Sequence, residues 1–130
     1  MTEVIVIGAG PVGLLLTAEL RRLGVDVTLL EKRPGPGVGT RAIGIHPPTL
    51  AALEASGATA RLLDHAVRVE RGEARTAGRL LGAVDFRRLS ERFPFVATLP
   101  QRMTEGVLAD LAGPVERGIT VTTVHHDGDR

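Results

Sequence analysis

The chain has no cysteine, no tryptophan and no tyrosine, and only three phenylalanines among its 130 residues. Without cysteine there are no disulfides, no thiol nucleophile and no thiolate-held metal. The shortage of aromatic rings removes the stacking platforms that a single-stranded nucleic-acid surface uses. Neither sign of charge dominates. Sixteen basic against fifteen acidic residues leave a net charge of +1, so nothing draws the chain to nucleic acid or to an acidic membrane surface. Arginines 68, 71, 75, 79, 87, 88 and 92 alternate with Glu70, Glu73, Asp85 and Glu91 and read as a solvated face. No membrane span is expected, since no apolar run is long enough. The stretch from Val4 to Leu20 does not read as a signal peptide. Glu3 precedes it, no basic segment leads it, and Gly8-Ala9-Gly10-Pro11 interrupts it. The expected location is the cytoplasm.

Two further absences narrow the chemistry. His125 and His126 are adjacent, so on a strand they point to opposite faces, and His46 and His65 have no acidic cluster beside them. No metal site is expected. The acids make no evident general acid/base pair, and Ser56 and Ser90 lack a nucleophile-elbow context. No catalytic side chain is expected.

What is present is concentrated at the N-terminus. The apolar run Val4-Ile5-Val6-Ile7 ends in Gly8-Ala9-Gly10-Pro11-Val12-Gly13, a G-x-G-x-x-G turn. Gly8 suits a tight turn, Gly10 lets a pyrophosphate approach the backbone, and Gly13 allows a helix to pack closely on a strand. Pro11 suits a first helical position, where its missing N–H has no partner to lose. The N–H groups around Val12, with the positive helix end, then face an anion. A second apolar run, Val25 to Leu30, ends in Glu31, 18 residues after Gly13 (31 − 13). A carboxylate there accepts hydrogen bonds from both ribose hydroxyls of an adenosine and disfavours a 2′-phosphate. Lys32 and Arg33 follow it and soften that repulsion.

The remaining pattern predicts an α/β fold. Residues 3–8 and 25–31 read as buried parallel strands, being near-continuously apolar. Residues 11–23 read as a helix with Leu15, Ala18 and Leu20 inward, stopped by Gly24. Residues 32–40 form a Pro/Gly loop. Helices are predicted over 47–56 and 59–64, the second capped by Thr59. Strands over 66–75 and 79–87 are joined by a turn near Gly78. A helix over 101–112 ends at Gly113-Pro114. The β-branched run 119–124 reads as a third parallel strand, giving the order third, first, second.

Two later segments carry a resemblance. They are Gly39-Thr40-Arg41-Ala42-Ile43-Gly44-Ile45-His46-Pro47-Pro48-Thr49-Leu50 and Leu99-Pro100-Gln101-Arg102-Met103-Thr104-Glu105-Gly106-Val107-Leu108. With the N-terminal unit they make the chain resemble, from residue 3 to about 121, the class A flavin monooxygenases of para-hydroxybenzoate hydroxylase type, which include aromatic and polyketide hydroxylases. The resemblance implies FAD as cofactor and NAD(P)H as transient co-substrate. It implies oxygen transfer to a small aromatic or polyketide substrate, with the flavin supplying the chemistry. Arg41 matches the family's pyrophosphate-binding arginine, and Gln101 its glutamine near the pyrophosphate and ribityl. The expected cofactor-binding set is therefore Gly8, Gly10, Pro11, Val12, Gly13, Glu31, Lys32, Arg41 and Gln101.

The expected architecture is a Rossmann-like FAD-binding βαβ domain with a parallel sheet and an inserted β-hairpin region, incomplete at its C-terminus. It divides into a βαβ unit over 1–33, a helical and hairpin insert over about 41–100, and a helix and third strand over 101–124. The family's later D-G and G-D motifs have no counterpart. Asp127-Gly128 comes too early. A missing C-terminal portion or a second chain is thus an expected partner, and the chain alone is expected to be inactive. Two alternatives stand: a non-catalytic or truncated nucleotide-binding module, and a fragment of an NAD-dependent dehydrogenase.

Overall fold

The computed structural model describes residues 2–37, 43–126 and 128. In chain order its elements are β1 (Val4–Ile7), α1 (Pro11–Arg22), β2 (Val27–Glu31), β3 (Gly44–Ile45), α2 (Pro47–Ala52), α3 (Ala58–Leu63), β4 (Val67–Val69), β5 (Arg71–Thr76), β6 (Arg79–Asp85), a 3-10 turn (Phe86–Arg88), β7 (Val96–Thr98), α4 (Gln101–Ala112) and β8 (Glu116–Arg117). They fall into two units, residues 1–38 with 108–130, and residues 39–107.

The first unit is built on a parallel sheet of order β1-β2-β8. Val4 pairs with Val27 and Ile7 with Leu30, while Leu30 and Glu31 pair with Glu116 and Arg117 on the other side. This corrects the predicted order. The third strand lies beside the second, not the first, and it occupies Glu116–Arg117 rather than 119–124. Gly118, at φ +75°, turns the chain there, and the Ile119 N–H, donating to the Glu31 carbonyl at 3.1 Å, continues the contact. Placing β2 in the centre also corrects the reading of both first strands as buried. Val27, Leu29 and Glu31 of β2 are buried, whereas β1 buries only Val6 and leaves Ile5 and Ile7 more than half exposed.

Helix α1 starts with Pro11 at its first turn and stops one residue earlier than predicted. Its end is a Schellman motif: Gly24, at φ +85°, donates to the Arg21 carbonyl at 2.9 Å and Val25 to the Leu20 carbonyl at 3.0 Å. The buried face is Leu14, Thr17 and Ala18, so of the three predicted inward residues only Ala18 is fully buried. Arg21 secures the unit from the last turn. Its guanidinium donates to the carbonyls of Ala112 and, at 2.6 Å, of Val27.

The second unit holds an antiparallel sheet of order β3-β7-β4. Its core packs Leu50, Phe93, Phe95 and Ala97, flanked by Ile45, Leu63 and Ala66. Phe93 and Phe95 meet edge to face at 6.3 Å between ring centroids. The predicted strand over 66–75 is two strands of different sheets, β4 and β5, parted at Glu70. β5 and β6 form a two-stranded hairpin closed by Ala77 and Gly78, at φ 43° and 80°. The predicted helix over 47–56 ends at Ala52. Thr59 lies inside α3, whose cap position is Gly57. The Thr59 hydroxyl instead donates to the Leu50 carbonyl at 2.5 Å. Helix α4 occupies the predicted residues, and its residues from Leu108 onward belong to the first unit.

Candidate functional site

The glycine turn between β1 and α1 owes its shape to two constraints. Gly8 sits at φ +101°, a conformation that L side chains rarely adopt. A Cβ on Gly13 would collide with the Gly8 carbonyl oxygen. Gly10 is different. It is the N-cap of α1, with extended backbone (φ −81°, ψ 179°), and a Cβ there would meet no protein atom within 4 Å. The protein itself therefore does not require glycine at position 10. The open space in front of it suits a group that approaches the backbone.

No side chain caps α1, and its first turn holds no acid. Pro11 has no N–H, and helix geometry leaves the N–H groups of Val12 and Gly13 without intrahelical acceptors. The first acceptor inside the helix is the Gly10 carbonyl, which takes the Leu14 N–H at 2.9 Å. Uncapped donors, the positive helix end and the open Cβ position together fit the pyrophosphate of a dinucleotide.

The turn is tied to the end of β2 by two bonds. Gly8 N–H donates to the Leu30 carbonyl at 2.7 Å. Ala9 N–H donates to Oε2 of Glu31, also at 2.7 Å. The other carboxylate oxygen, Oε1, accepts the Arg33 N–H at 2.9 Å and the Arg33 Nε at 2.8 Å. Glu31 is only 4% exposed. The Arg33 side chain and backbone N–H, joined by the Ala9 N–H, outweigh burial and hold the carboxyl at a pKa of about 2, below its ordinary 4.5. It is ionised at neutral pH.

Beside Glu31 lies a cleft of 310 Å³, lined by Ile7, Gly8, Leu30, Glu31, Lys32, Ile119, Thr120 and Val121. A second cleft, of 490 Å³, follows β1 and the glycine turn as far as Leu16. Ile7 and Gly8 border both. One space reaches the buried carboxylate and the other reaches the helix N-terminus, which is the division that an adenosine and a pyrophosphate need.

The structure thus brings Gly8, Gly10, Pro11, Val12, Gly13, Glu31 and Lys32 together at one end of the parallel sheet. Arg41 lies outside the described residues. Gln101 is the first residue of α4, in the second unit, and its amide donates to Glu105 Oε1 at 2.7 Å. Sequence reasoning named Arg33 only as a nearby charge and missed its grip on Glu31, the Ala9 N–H and the place of 119–121 in the cleft. The first two carry no motif signal. The third was hidden by its β-branched composition, although Gly118 marks the break.

Among the described residues there is no group of histidines and acids that could hold a metal, and no helix is long and apolar enough to cross a membrane.

The chain is 35% identical over 134 residues to 6-methylpretetramide 4-monooxygenase of Streptomyces rimosus, covering 98% of this chain and 24% of that protein. The crystal structure of p-nitrophenol 4-monooxygenase from Pseudomonas putida DLL-E4 superposes with a TM-score of 0.84 at 28% identity, over 91% of this chain and 32% of that one. The anhydrotetracycline hydroxylase of Streptomyces rimosus superposes with a TM-score of 0.82 at 31% identity, over 97% of this chain and 26% of that one. The chain therefore spans about a quarter of the length of the curated relatives it matches. The model of the FAD binding domain family matches residues 1–130, and with its glycine turn, buried acid and parallel sheet the chain belongs to that family.

Proposed function

We propose that this chain holds the ADP half of FAD for a monooxygenase that hydroxylates a small aromatic or polyketide substrate, with NAD(P)H as reductant. The observation that carries the reading is the pairing of the open, uncapped Gly10 position with a buried, ionised Glu31 on the adjoining strand end. The N–H groups of Val12 and Gly13 take the pyrophosphate, and Glu31 takes the ribose. Lys32, exposed at the cleft, lends positive charge. Arg41 and Gln101 serve the pyrophosphate and the flavin side, as the family motifs suggest. When bound, FAD supplies the redox and oxygen chemistry, and the chain's own residues bind and orient it.

The match to an FAD binding domain favours this reading over an NAD-dependent dehydrogenase fragment. The relatives' names supply the substrate class: a pretetramide and a nitrophenol are both aromatic. Because the match spans about a quarter of those relatives, the substrate pocket and the remaining flavin contacts are assigned to sequence outside this chain, in cis or from a second polypeptide.

Calorimetric titration with ADP and FAD tests the binding half of the proposal. ADP binding by the purified chain is expected, and no detectable ADP binding refutes the site. An assay coupling NADPH oxidation to hydroxylated product tests the rest. The chain alone is expected to form no product, because an open pocket exposes reduced flavin to water. Hydroxylation by the isolated chain would show that it needs no further sequence.

A further inference from the structure

We propose that Arg33 is the positioning residue of this site: it locks the Glu31 carboxylate against the glycine turn and leaves it a single acceptor position, for one ribose hydroxyl. The inference rests on the nucleotide reading above. It is carried by the division of the carboxylate between two sets of donors. Oε1 takes both the N–H and the Nε of Arg33, at 2.9 and 2.8 Å, and Oε2 takes the Ala9 N–H at 2.7 Å.

An ionised carboxylate offers about four lone-pair positions. The described residues use three, so one remains among them, and it does not suffice for both hydroxyls of a ribose. The two grips on Oε1 come from one residue, and with the Ala9 N–H on Oε2 they fix the plane of the carboxylate. Within that hold Arg33 sets where Oε2 meets the Ala9 N–H, in the turn that faces the pyrophosphate. Arg33 therefore acts on the ligand through Glu31. Its side chain is 41% exposed, so it is held at the rim while the carboxylate is buried.

The charged neighbours of Glu31 on other elements do not replace Arg33. On β8 the register partner is Arg117, next to Glu116. Neither contributes to holding the carboxyl low, whereas Arg33 does so through three separate interactions. The glycine turn adds no charge of its own, and Lys32 adjoins Glu31 without a part in its ionisation.

The test uses the purified chain with Arg33→Ala, Arg33→Gln and Arg33→Lys, checked for folding by circular dichroism. The first readout needs no ligand. The Glu31 side-chain carbonyl is followed by carbon NMR as pH falls. In the unaltered chain it stays ionised below pH 3. In Arg33→Ala and Arg33→Gln it titrates near the ordinary carboxylate range, and Arg33→Lys falls between. The second readout is ADP affinity at pH 7 and pH 4. Relative to the unaltered chain, Arg33→Ala is expected to lose about threefold more affinity between those values, as Glu31 protonates. The third compares 2′-deoxyADP and 3′-deoxyADP with ADP on the unaltered chain. One analogue should bind as ADP does and the other about tenfold more weakly.

Unchanged Glu31 titration in Arg33→Ala, a pH profile parallel to that of the unaltered chain, or equal losses with both deoxy analogues would each overturn the inference while leaving the ADP site standing. Absence of ADP binding by the unaltered chain would instead overturn the nucleotide reading, and this inference with it.

Discussion

The Glu31 carboxylate accepts the Ala9 N–H at 2.7 Å across 22 residues of sequence, joining the glycine turn to the end of β2 by a buried, charge-assisted bond. Glu31→Gln keeps the volume but removes the charge. It is expected to lower stability by about 1–3 kcal/mol, the range for leaving buried donors poorly matched. The pH dependence has a defined sign. The folded-state pKa of about 2 lies below the ordinary 4.5, so the stabilisation is complete above the ordinary value and is lost as pH falls from about 4.5 toward 2. Urea unfolding at pH 7, 4 and 3 should show a decline in the unaltered chain that is smaller in Glu31→Gln.

Gly10 and Gly13 should separate binding from folding. Alanine at position 10 meets no protein atom, since nothing lies within 4 Å of the added Cβ. Its cost is that of a weaker helix cap, about 1 kcal/mol. The same methyl stands where the pyrophosphate approaches, so ADP affinity should fall at least about tenfold. Alanine at position 13 drives Cβ into the Gly8 carbonyl and should cost about 1–3 kcal/mol through backbone displacement. Thermal melts beside ADP titrations distinguish the two. A Gly10→Ala chain that is folded and binds normally contradicts the site.

Ala77 is the only non-glycine residue at positive φ among the described residues, at 43°, in the two-residue turn of the β5-β6 hairpin. Asparagine tolerates this left-handed conformation better, and Asn-Gly is the favoured sequence for such a turn. Ala77→Asn should therefore stabilise the hairpin by about 1 kcal/mol. Amide hydrogen exchange of residues 71–85 is the measurement. Slower exchange is expected, and faster exchange would count against the assigned turn.

Arg21 serves three carbonyls, those of Ala112, Pro114 and Val27. Arg21→Met retains much of the apolar stem and removes both donors. A loss of about 1–3 kcal/mol is expected, with little change in ADP affinity once the chain is folded. Guanidinium unfolding and ADP titration test the two halves.

The sequence by itself determined the parts whose causes are local. Gly8, Gly10 and Gly13 with Pro11 specify a strand-turn-helix because each acts on its own backbone or on a neighbour within a few residues. Gly24 and Gly113, both at positive φ, stop α1 and α4 where their pattern ends. The hairpin turn at Gly78 was legible for the same reason. The meeting of the glycine turn with Glu31 was readable because their spacing follows from the length of one helix.

Tertiary structure decided what depends on partners remote in sequence. Nothing local states on which side of β2 a third strand will pair. The run 119–124 has the β-branched composition of a strand, but β-propensity describes a surface to be packed, and Gly118 at φ +75° diverts that run from the ladder into the lining of the cleft beside Glu31. Leu14 and Thr17 became the buried face of α1 because the sheet lies against that side. The grip of Arg33 on Glu31 was equally illegible. A charged pair two residues apart in a sequence is ordinarily a solvated one, and only burial of the carboxylate beneath the glycine turn makes this pair part of the site.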